Sequence, residues 1–326
     1  MGPSLVIVIV NWNTGLQLRD CLNSVAASAC SSFTLQRVVV VDNSSFDRSM
    51  ESLPHDRLPL TIMRNPENRG FAAACNQGAA GSHSDFILFL NPDTVLRPDT
   101  LDKALSRALL PEQARVGIWG IALRDENDRL ACTCANFPRP AIIYSEILGL
   151  NRLFPGRFPS HFTTRADRSF SRVVDQVIGA FFLVRREVYD ALGGFDERFF
   201  VYFEEVDFAR RALARGWTSY YFAGAEAFHK GGGASQQAKA SRLFYFMRSR
   251  ILYSFKHMGL LQSAGIAAAS LLVEPVARVI FAAAQGEWRT GGSVFVAFAK
   301  LWLALPAILR QSRVPAEPAG TRRKVQ

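Results

Sequence analysis

The sequence predicts an α/β fold with a mainly parallel central sheet flanked by helices. Short, largely apolar runs recur at residues 5–10, 38–41, 60–63 and 86–90, the first two rich in β-branched residues. Amphipathic or Ala-rich stretches of helical character separate them, at about 16–29 and 71–80. Polar clusters begin where three of the runs end, at Asn11, Asp42 and Asn91. Strands with no polar face are buried on both sides, as in parallel sheets covered by helices. Ligands of such sheets sit at the carboxyl ends of the strands, so the three clusters are expected to form one site.

Further strands are expected at 116–123, 177–184 and 218–222, and a helix at 204–215 that stops at Gly216. Residues 136–172 are rich in Pro, Phe and Arg and show little period, so they read as long loops. The texture changes after Ser241. The division is therefore 1–240, a catalytic domain, and 241–326, a basic, apolar helical region. Residues 258–273 are apolar until Glu274-Pro275 interrupts them, and 294–309 are apolar around Lys300. Neither stretch reaches the ~20 apolar residues of a spanning helix. Interfacial helices are expected, with Trp288 and Trp302 as anchors, against the alternative of a soluble helical subdomain on the sheet.

With 326 residues, 49% of them hydrophobic and 20% charged, the chain has ample material for a core and is not a disordered sequence. Its formal net charge is +10, and +9 of that lies from residue 240 onward, where twelve Lys and Arg face three acids. A basic region that is also apolar suits an anionic membrane surface. No nucleic-acid module is visible. The five cysteines include no C-x-x-C pair, which argues against a disulfide framework or a structural zinc. The apolar N-terminal run lacks a basic leader and reads as a buried strand.

Several chemistries lack their motifs. There is no G-x-G-x-x-G after the first strand, no P-loop and no G-x-S-x-G elbow. Carboxylates remain. Asp93 follows a strand end behind Pro92, where it suits a hard divalent cation shared with phosphates, or simply completes a turn. Glu204, Glu205 and Asp207 open a helix after the apolar run 199–203. The helix dipole alone explains acids there, yet partial desolvation raises carboxyl pKa values and suits a general base. Glu204 and Asp207 share a helix face, and Arg210 or Arg211 is expected to pair with one acid. His229 opens a glycine-rich loop, where backbone approaches a phosphate closely, and is a candidate second metal ligand.

Taken in order, these segments resemble the inverting glycosyltransferases of family 2, which have the GT-A fold, and within them the bacterial rhamnosyltransferase-like branch. The motifs are Val8-Ile9-Val10-Asn11-Trp12-Asn13, Val40-Val41-Asp42-Asn43-Ser44-Ser45, the stretch from Asn65 through Asn68-Arg69-Gly70-Phe71 to Asn76, Leu90-Asn91-Pro92-Asp93, the stretch from Phe199 to Arg211, and the stretch from His229 to Ser235. The resemblance spans about residues 4–235. It implies nucleotide-sugar contacts at Asn11, Asn13, Asp42, Asn68, Arg69, Gly70, Asn76, Asn91, Asp93 and Lys230. It implies Mn²⁺ or Mg²⁺ on Asp93 and His229. Two positions depart from the pattern. The D-x-D motif offers one carboxylate, Asp93, and the usual E-D pair reads Glu204-Glu205. The catalytic base then falls on Glu205, with Glu204 or Asp207 as substitutes.

The implied reaction is one in-line displacement from a dTDP- or UDP-sugar, with dTDP-rhamnose as the leading donor. The implied acceptor is a glycan or a polyprenyl-diphosphate-linked saccharide. Phe181, Phe182 and the Gly193–Asp196 turn are expected on the acceptor side. The implied location is the cytoplasmic, inner face of a bacterial membrane, in cell-surface polysaccharide synthesis. The alternatives are a non-catalytic nucleotide-sugar-binding homologue, favoured only by the altered Glu204-Glu205 pair, and a nucleotidyltransferase. The latter calls for a Gly-rich basic loop after the first strand, and here no basic residue precedes Arg19.

Overall fold

The computed structural model describes residues 2–28, 32–51, 53–158, 161, 169–231, 239–286 and 291–313. The glycine-rich loop 232–235, Cys30, Trp288 and the terminal Arg322, Arg323 and Lys324 lie outside them. In chain order the N-terminal half comprises β1 (Ser4–Asn11), α1 (Gln17–Ser28), β2 (Thr34–Asp42), β3 (Leu60–Arg64), α2 (Phe71–Ala79), β4 (Phe86–Leu90), β5 (Thr94–Leu96), α3 (Thr100–Ala108) and β6 (Val116–Arg124). There follow β7 (Cys134–Ala135), α4 (Pro140–Ile147), α5 (Leu150–Leu153), β8 (Arg172–Val174), β9 (Gln176–Val177), β10 (Phe181–Arg185), α6 (Arg186–Leu192), α7 (Glu204–Ala214) and β11 (Thr218–His229). The C-terminal region is helical: α8 (Lys239–His257), α9 (Leu260–Ala268), α10 (Glu274–Ala284) and α11 (Gly291–Ser312).

Nine strands form one sheet in the order β3-β2-β1-β4-β10-β6-β11-β5, with β8 beside β11. The pairs β3-β2, β2-β1, β1-β4 and β6-β11 are parallel. Strand β10 runs antiparallel between β4 and β6, an antiparallel insertion in a sheet that is otherwise mainly parallel, as the sequence suggested. Alternate residues of β1 enter two cores: Val6, Val8 and Val10 on one face, Leu5, Ile7 and Ile9 on the other. That two-sided burial is why the run lacks a polar period. The Ala-rich character of α2 also has a packing cause. A Cβ on Gly78 would lie 2.5 Å from Cγ1 of Val8, so small residues let this helix lie close on β1.

Two expectations about local structure change. The Pro-rich stretch 136–172 contains α4, with Pro140 in its first turn, where a missing N–H costs nothing. Glu274-Pro275 does not break the following helix. Helical structure continues from Leu260 to Ala284 through a π turn at Ala269–Val273, just before the proline. A π turn is a common way for a helix to absorb such a disturbance. Leu260–Ala284 and Gly292–Ser312 are each long and apolar enough, by length and composition, to cross a membrane.

The composition break at 240/241 is not a break in packing. Met247, Ile251 and Tyr253 of α8 and Phe298 and Leu301 of α11 belong to the same apolar cluster as Val6, Val8 and Phe89. Buried charge fastens the join. Asp207 has no exposed surface, and Lys256 Nζ lies 2.6 Å from its Oδ1, Arg211 Nε 2.7 Å from Oδ2, and His257 Nε2 2.7 Å from Oδ1. Lys256 also reaches Asp196 at 2.7 Å, and Arg198 holds the same carboxylate at 2.6 Å. This corrects the reading of Asp207 as a substitute base. Its oxygens are committed to three cationic or proton-bearing groups, and its position is structural.

Burial pushes the Asp207 carboxyl upward, but the His257 hydrogen bond and the Arg211 and Lys256 charges overcome it and hold it well below the usual carboxylate range. A depressed carboxyl contributes stability that is present above its unfolded value and lost as pH falls through its folded value. Asp207→Asn is expected to destabilise the protein by ~3–5 kcal/mol at neutral pH, because it leaves buried cations uncompensated. Urea unfolding at descending pH checks both points. The parent should lose stability below about pH 4 and the variant should lose less; equal slopes would assign the acid sensitivity to other carboxylates.

Candidate active site

The sheet's carboxyl edge opens into a cleft of about 660 Å³, lined among others by Trp12, Asn43, Asn68, Gly70, Asn91, Asp93, Tyr202, His229 and Arg242. Sheet register builds its metal-suited corner. Asn91 and Asp93 follow β4 in a turn in which the Thr94 amide donates to the Asn91 carbonyl at 3.1 Å. Strand β5 then pairs antiparallel with the end of β11, setting His229 opposite Thr94. His229 Nε2 consequently lies 3.2 Å from Asp93 Oδ1, with both side chains largely buried. Among the described residues that nitrogen has no hydrogen-bond partner. The strand expected at 218–222 thus runs on to residue 229 through an irregularity between Phe222 and Glu226, and the extension delivers the histidine.

A second wall comes from the segment before α7. Gly70, at φ +86°, opens α2, and a Cβ there would sit 2.5 Å from the Phe200 carbonyl oxygen. The Phe71 amide donates to that oxygen at 2.6 Å. Only glycine permits both the backbone conformation and the close approach. Helix α8 clamps the other side: Tyr245 stacks on Phe200 at 4.5 Å, and Ser249 Oγ donates to the Val201 carbonyl at 2.9 Å. Between these clamps Tyr202 and Phe203 adopt left-handed φ values of 67° and 69°. Bulky side chains in that region cost about 1–3 kcal/mol each and persist only when surroundings impose them. The turn carries the chain from the cleft into a separate cavity of about 450 Å³, which Tyr202 also lines and into which Glu205 projects.

Of the three acids, Glu205 lines this second cavity. Its Oε2 is buried without a partner among the described residues, and burial raises its pKa. Glu204 is buried beside Cys75, with its carboxyl pushed well up by burial and then by the Glu205 charge. It lines neither of these two cavities.

Residues 6–193 match the profile of Glycosyl transferase family 2. The chain belongs to glycosyltransferase family 2. It is similar to an N-acetylglucosaminyl-diphospho-decaprenol L-rhamnosyltransferase of Mycobacterium tuberculosis, 26% identical over 79% of this chain and 87% of that protein. It also resembles the rhamnosyltransferase WbbL of Escherichia coli, 32% identical over 44% of this chain and 52% of that one. Among solved structures, the mannosyltransferase PcManGT of Pyrobaculum calidifontis, in complex with GDP-Man and Mn²⁺, superposes with a TM-score of 0.54 at 17% identity, covering 96% of this chain and 84% of that one. S. aureus TarS 1–349 with UDP-GlcNAc gives 0.52 at 15% identity, covering 94% and 82%. These structures establish the GT-A fold. The nucleotidyltransferase alternative falls with the family assignment.

In this family 2 enzyme, four of the ten residues expected at the nucleotide sugar line the cleft: Asn68, Gly70, Asn91 and Asp93. Six are placed elsewhere. Asn11 is buried under the cleft, its Nδ2 donating to Asp42 Oδ1 at 2.9 Å and to Ser45 and Ser49. Asp42 is buried with it, and the Asn13 side chain caps the Phe46 amide at 2.9 Å. These three tie the ends of β1 and β2 together. Asn76 is buried and bonded to Tyr189 Oη at 2.7 Å and to the Phe195 amide and carbonyl, so it fixes the turn after α6. Arg69 is exposed, and Lys230 faces Glu126 at 3.8 Å. Phe181, Phe182 and Phe195 are core residues and Asp196 is in the ion cluster, while the Gly193–Asp196 turn lines a further cavity of about 600 Å³ with Arg211 and Arg215. Sequence reasoning missed Trp12, Arg242 and Tyr245 as cleft residues. Trp12 stood inside a quoted motif, whereas nothing in the sequence marked the other two.

A carboxyl raised in the folded state holds its proton more tightly than the unfolded chain does, so stability falls as pH rises from the unfolded value through the folded one. Glu204→Gln is therefore expected to reduce the stability lost between pH 5 and pH 8 in urea unfolding. An unchanged slope would mean that Glu204 ionises without cost and is solvated.

Proposed function

We propose that this enzyme transfers a sugar, with dTDP-rhamnose as the leading donor, to a saccharide carried on a polyprenyl diphosphate, with inversion at the anomeric carbon. The observation that carries the reading is the meeting of Asp93 with His229 in the cleft, one turn of chain away from a cavity that holds Glu205. The rhamnosyltransferase relatives support the donor, and the name of the mycobacterial relative supports the acceptor class.

A carboxylate and an imidazole whose Nε2 has no other partner among the described residues fit Mn²⁺ or Mg²⁺. Among the described residues no third His, Cys, Asp or Glu joins them, which suits an ion that takes its remaining ligands from a diphosphate and water. Asp93 and His229 would hold it, and a divalent ion there supplies Lewis-acid neutralisation of the departing nucleoside diphosphate. Asn68, Asn91 and the α2 N-terminus at Gly70 orient the donor, and Arg242 adds positive charge at the cleft wall. Glu205 takes the proton of the acceptor hydroxyl. That oxygen attacks the anomeric carbon from the side opposite the nucleoside diphosphate. A pKa raised by burial suits this role near neutral pH.

The exposed apolar residues Leu272, Val276, Val279 and Ile280 of the Leu260–Ala284 helix, and Phe295, Trp302 and Leu303 of α11, support contact with a membrane surface. The location proposed is the cytoplasmic face of a bacterial membrane.

Purified protein is expected to gain about 2.7 kcal/mol from dTDP at a hundred times its dissociation constant. That gain should require Mn²⁺ and disappear in Asp93→Ala; metal-independent stabilisation would remove Asp93 from the reading. Glu205→Gln is expected to lower kcat by roughly 10²- to 10⁴-fold while leaving dTDP binding intact. Near-normal turnover would exclude Glu205 as the base. The paired change Val276→Glu and Ile280→Glu should shift the protein from pelleted membranes to the supernatant without altering its thermal stability. Unchanged partitioning favours the soluble-subdomain alternative.

A further inference from the structure

The helical stretch Leu260–Ala284 has its polarity inverted. Leu261, Leu272, Val276 and Ile280 are 89%, 61%, 58% and 62% exposed, whereas Ser263, Ser270 and Glu274 are 0%, 0% and 2% exposed. Ala264 and Ala268 are exposed between the first two, so the outward residues recur every three or four positions as one apolar stripe. The inward polar groups are all bonded. Ser263 Oγ donates to the Ser254 carbonyl at 2.8 Å, Arg250 donates to Ser270 Oγ at 2.8 Å, and Glu274 is paired with Arg250 and with Arg278. Glu274 and Arg278 are the only charged residues between 260 and 284. A helix lying on a protein in water turns its apolar side inward. A helix with polar side chains inward and hydrocarbon outward suits an outer neighbour that is lipid.

A segment from the middle of the chain lies alongside these helices. Ile143 and Ile147 of α4 pack with Ile266 of α9. The Tyr144 hydroxyl would be 2.5 Å from a Cβ on Gly265, and the Phe281 ring lies against Gly149. Gly149, at φ +68°, turns the chain out of α4 into the short α5. Leu148, Leu153 and Phe154 around this turn are exposed, and Phe154 and Phe158 are neighbouring rings 6.3 Å apart. Arg152 and Arg157 are exposed among them. The one acid between residues 139 and 158 is Glu146, which is turned into the fold and lines the second cavity. The outside of this hook therefore carries apolar side chains and two cations.

We propose that the α4–α5 hook is a second membrane-seating element, with Leu153 and Phe154 entering the hydrocarbon of one leaflet and Arg152 and Arg157 resting on anionic headgroups. The inference rests on the membrane contact proposed above for the C-terminal helices and adds a part of the catalytic fold to it. An anionic bilayer offers phosphate and then hydrocarbon, which is the pairing of cations and apolar side chains that the hook presents. The helices lie in the leaflet rather than cross it. Their inner face is bonded to α8, whose Met247 and Ile251 are in the same core as Val6, and a crossing would strip the Arg250–Glu274 pair from its protein surroundings. Two contacts from distant parts of the chain fix the orientation of the catalytic domain on the surface, where one alone leaves it free to swivel.

The test is flotation of full-length protein with vesicles of phosphatidylcholine alone and of phosphatidylcholine mixed with phosphatidylglycerol. The paired change Leu153→Ser and Phe154→Ser is expected to weaken binding to both kinds of vesicle roughly tenfold or more. The pair Arg152→Gln and Arg157→Gln is expected to weaken binding to the anionic vesicles by roughly tenfold or more and to leave the neutral ones unchanged. All four side chains are exposed, so the thermal midpoint should stay at the parental value, and the arginine pair still decides if the other pair does not fold. Parental binding by the Leu153→Ser and Phe154→Ser protein, beside lost binding by Val276→Glu and Ile280→Glu, overturns the hook and leaves the C-terminal helices as the membrane contact. Parental binding of anionic vesicles by the arginine pair also overturns it. A parent that floats with neither vesicle overturns both this inference and the membrane contact on which it rests.

Discussion

The buried charge cluster around Asp207 and Lys256 is the interaction on which both cavities depend. It joins the first turn of α7 to the last turn of α8, and Asp196 extends it to the turn after α6. With α8 held there, Arg248 reaches the Arg198 carbonyl, Ser249 reaches Val201, and Tyr245 stacks on Phe200. The same helix gives Arg242 and Tyr245 to the cleft and Phe246 and Arg250 to the second cavity. Two bulky residues in left-handed conformations sit between, held by contacts on each side. A strained turn persists only where its surroundings over-determine it, and here α2 and α8 supply those surroundings.

What could be read from sequence follows the range of the interactions involved. Strand positions were legible because two-sided burial is written in short apolar runs. Asp93 and His229 stood out because each sits beside turn-forming residues. Their meeting, however, depends on β5 pairing with the far end of β11, more than a hundred residues away. Asn76 and Asp207 show the opposite case. Each is polar and lies in a motif, so Asn76 read as a nucleotide-sugar contact and Asp207 as a substitute base. Their partners, Tyr189 and Phe195 for one and Lys256 and His257 for the other, come from later segments that no local pattern announces. Helix α4 was hidden by its prolines, and the Glu274-Pro275 step concealed a helix that a π turn keeps continuous.

The division of labour between the acids has a simple physical origin. Successive helical residues point about 100° apart, so three acids at the head of α7 meet three environments. Asp207 finds cations and stays ionised. Glu204 meets Cys75 and the apolar underside of the site. Glu205 meets a polar cavity. Composition alone treats the three as a cluster, and the helix separates them.

The length of β11 bears on how the protein is made. The pairing that sets His229 beside Asp93 joins a strand near residue 95 to one that ends at 229, and one side of the Tyr202 turn is clamped by residues 245 and 249. A chain emerging from the ribosome N-terminus first therefore cannot complete the sheet edge until its last strand is out. It cannot lock the turn until α8 has also emerged. By then the exposed apolar helices are the next segments to appear. Assembly of the site and arrival at a hydrophobic surface thus fall close together in the life of the nascent chain.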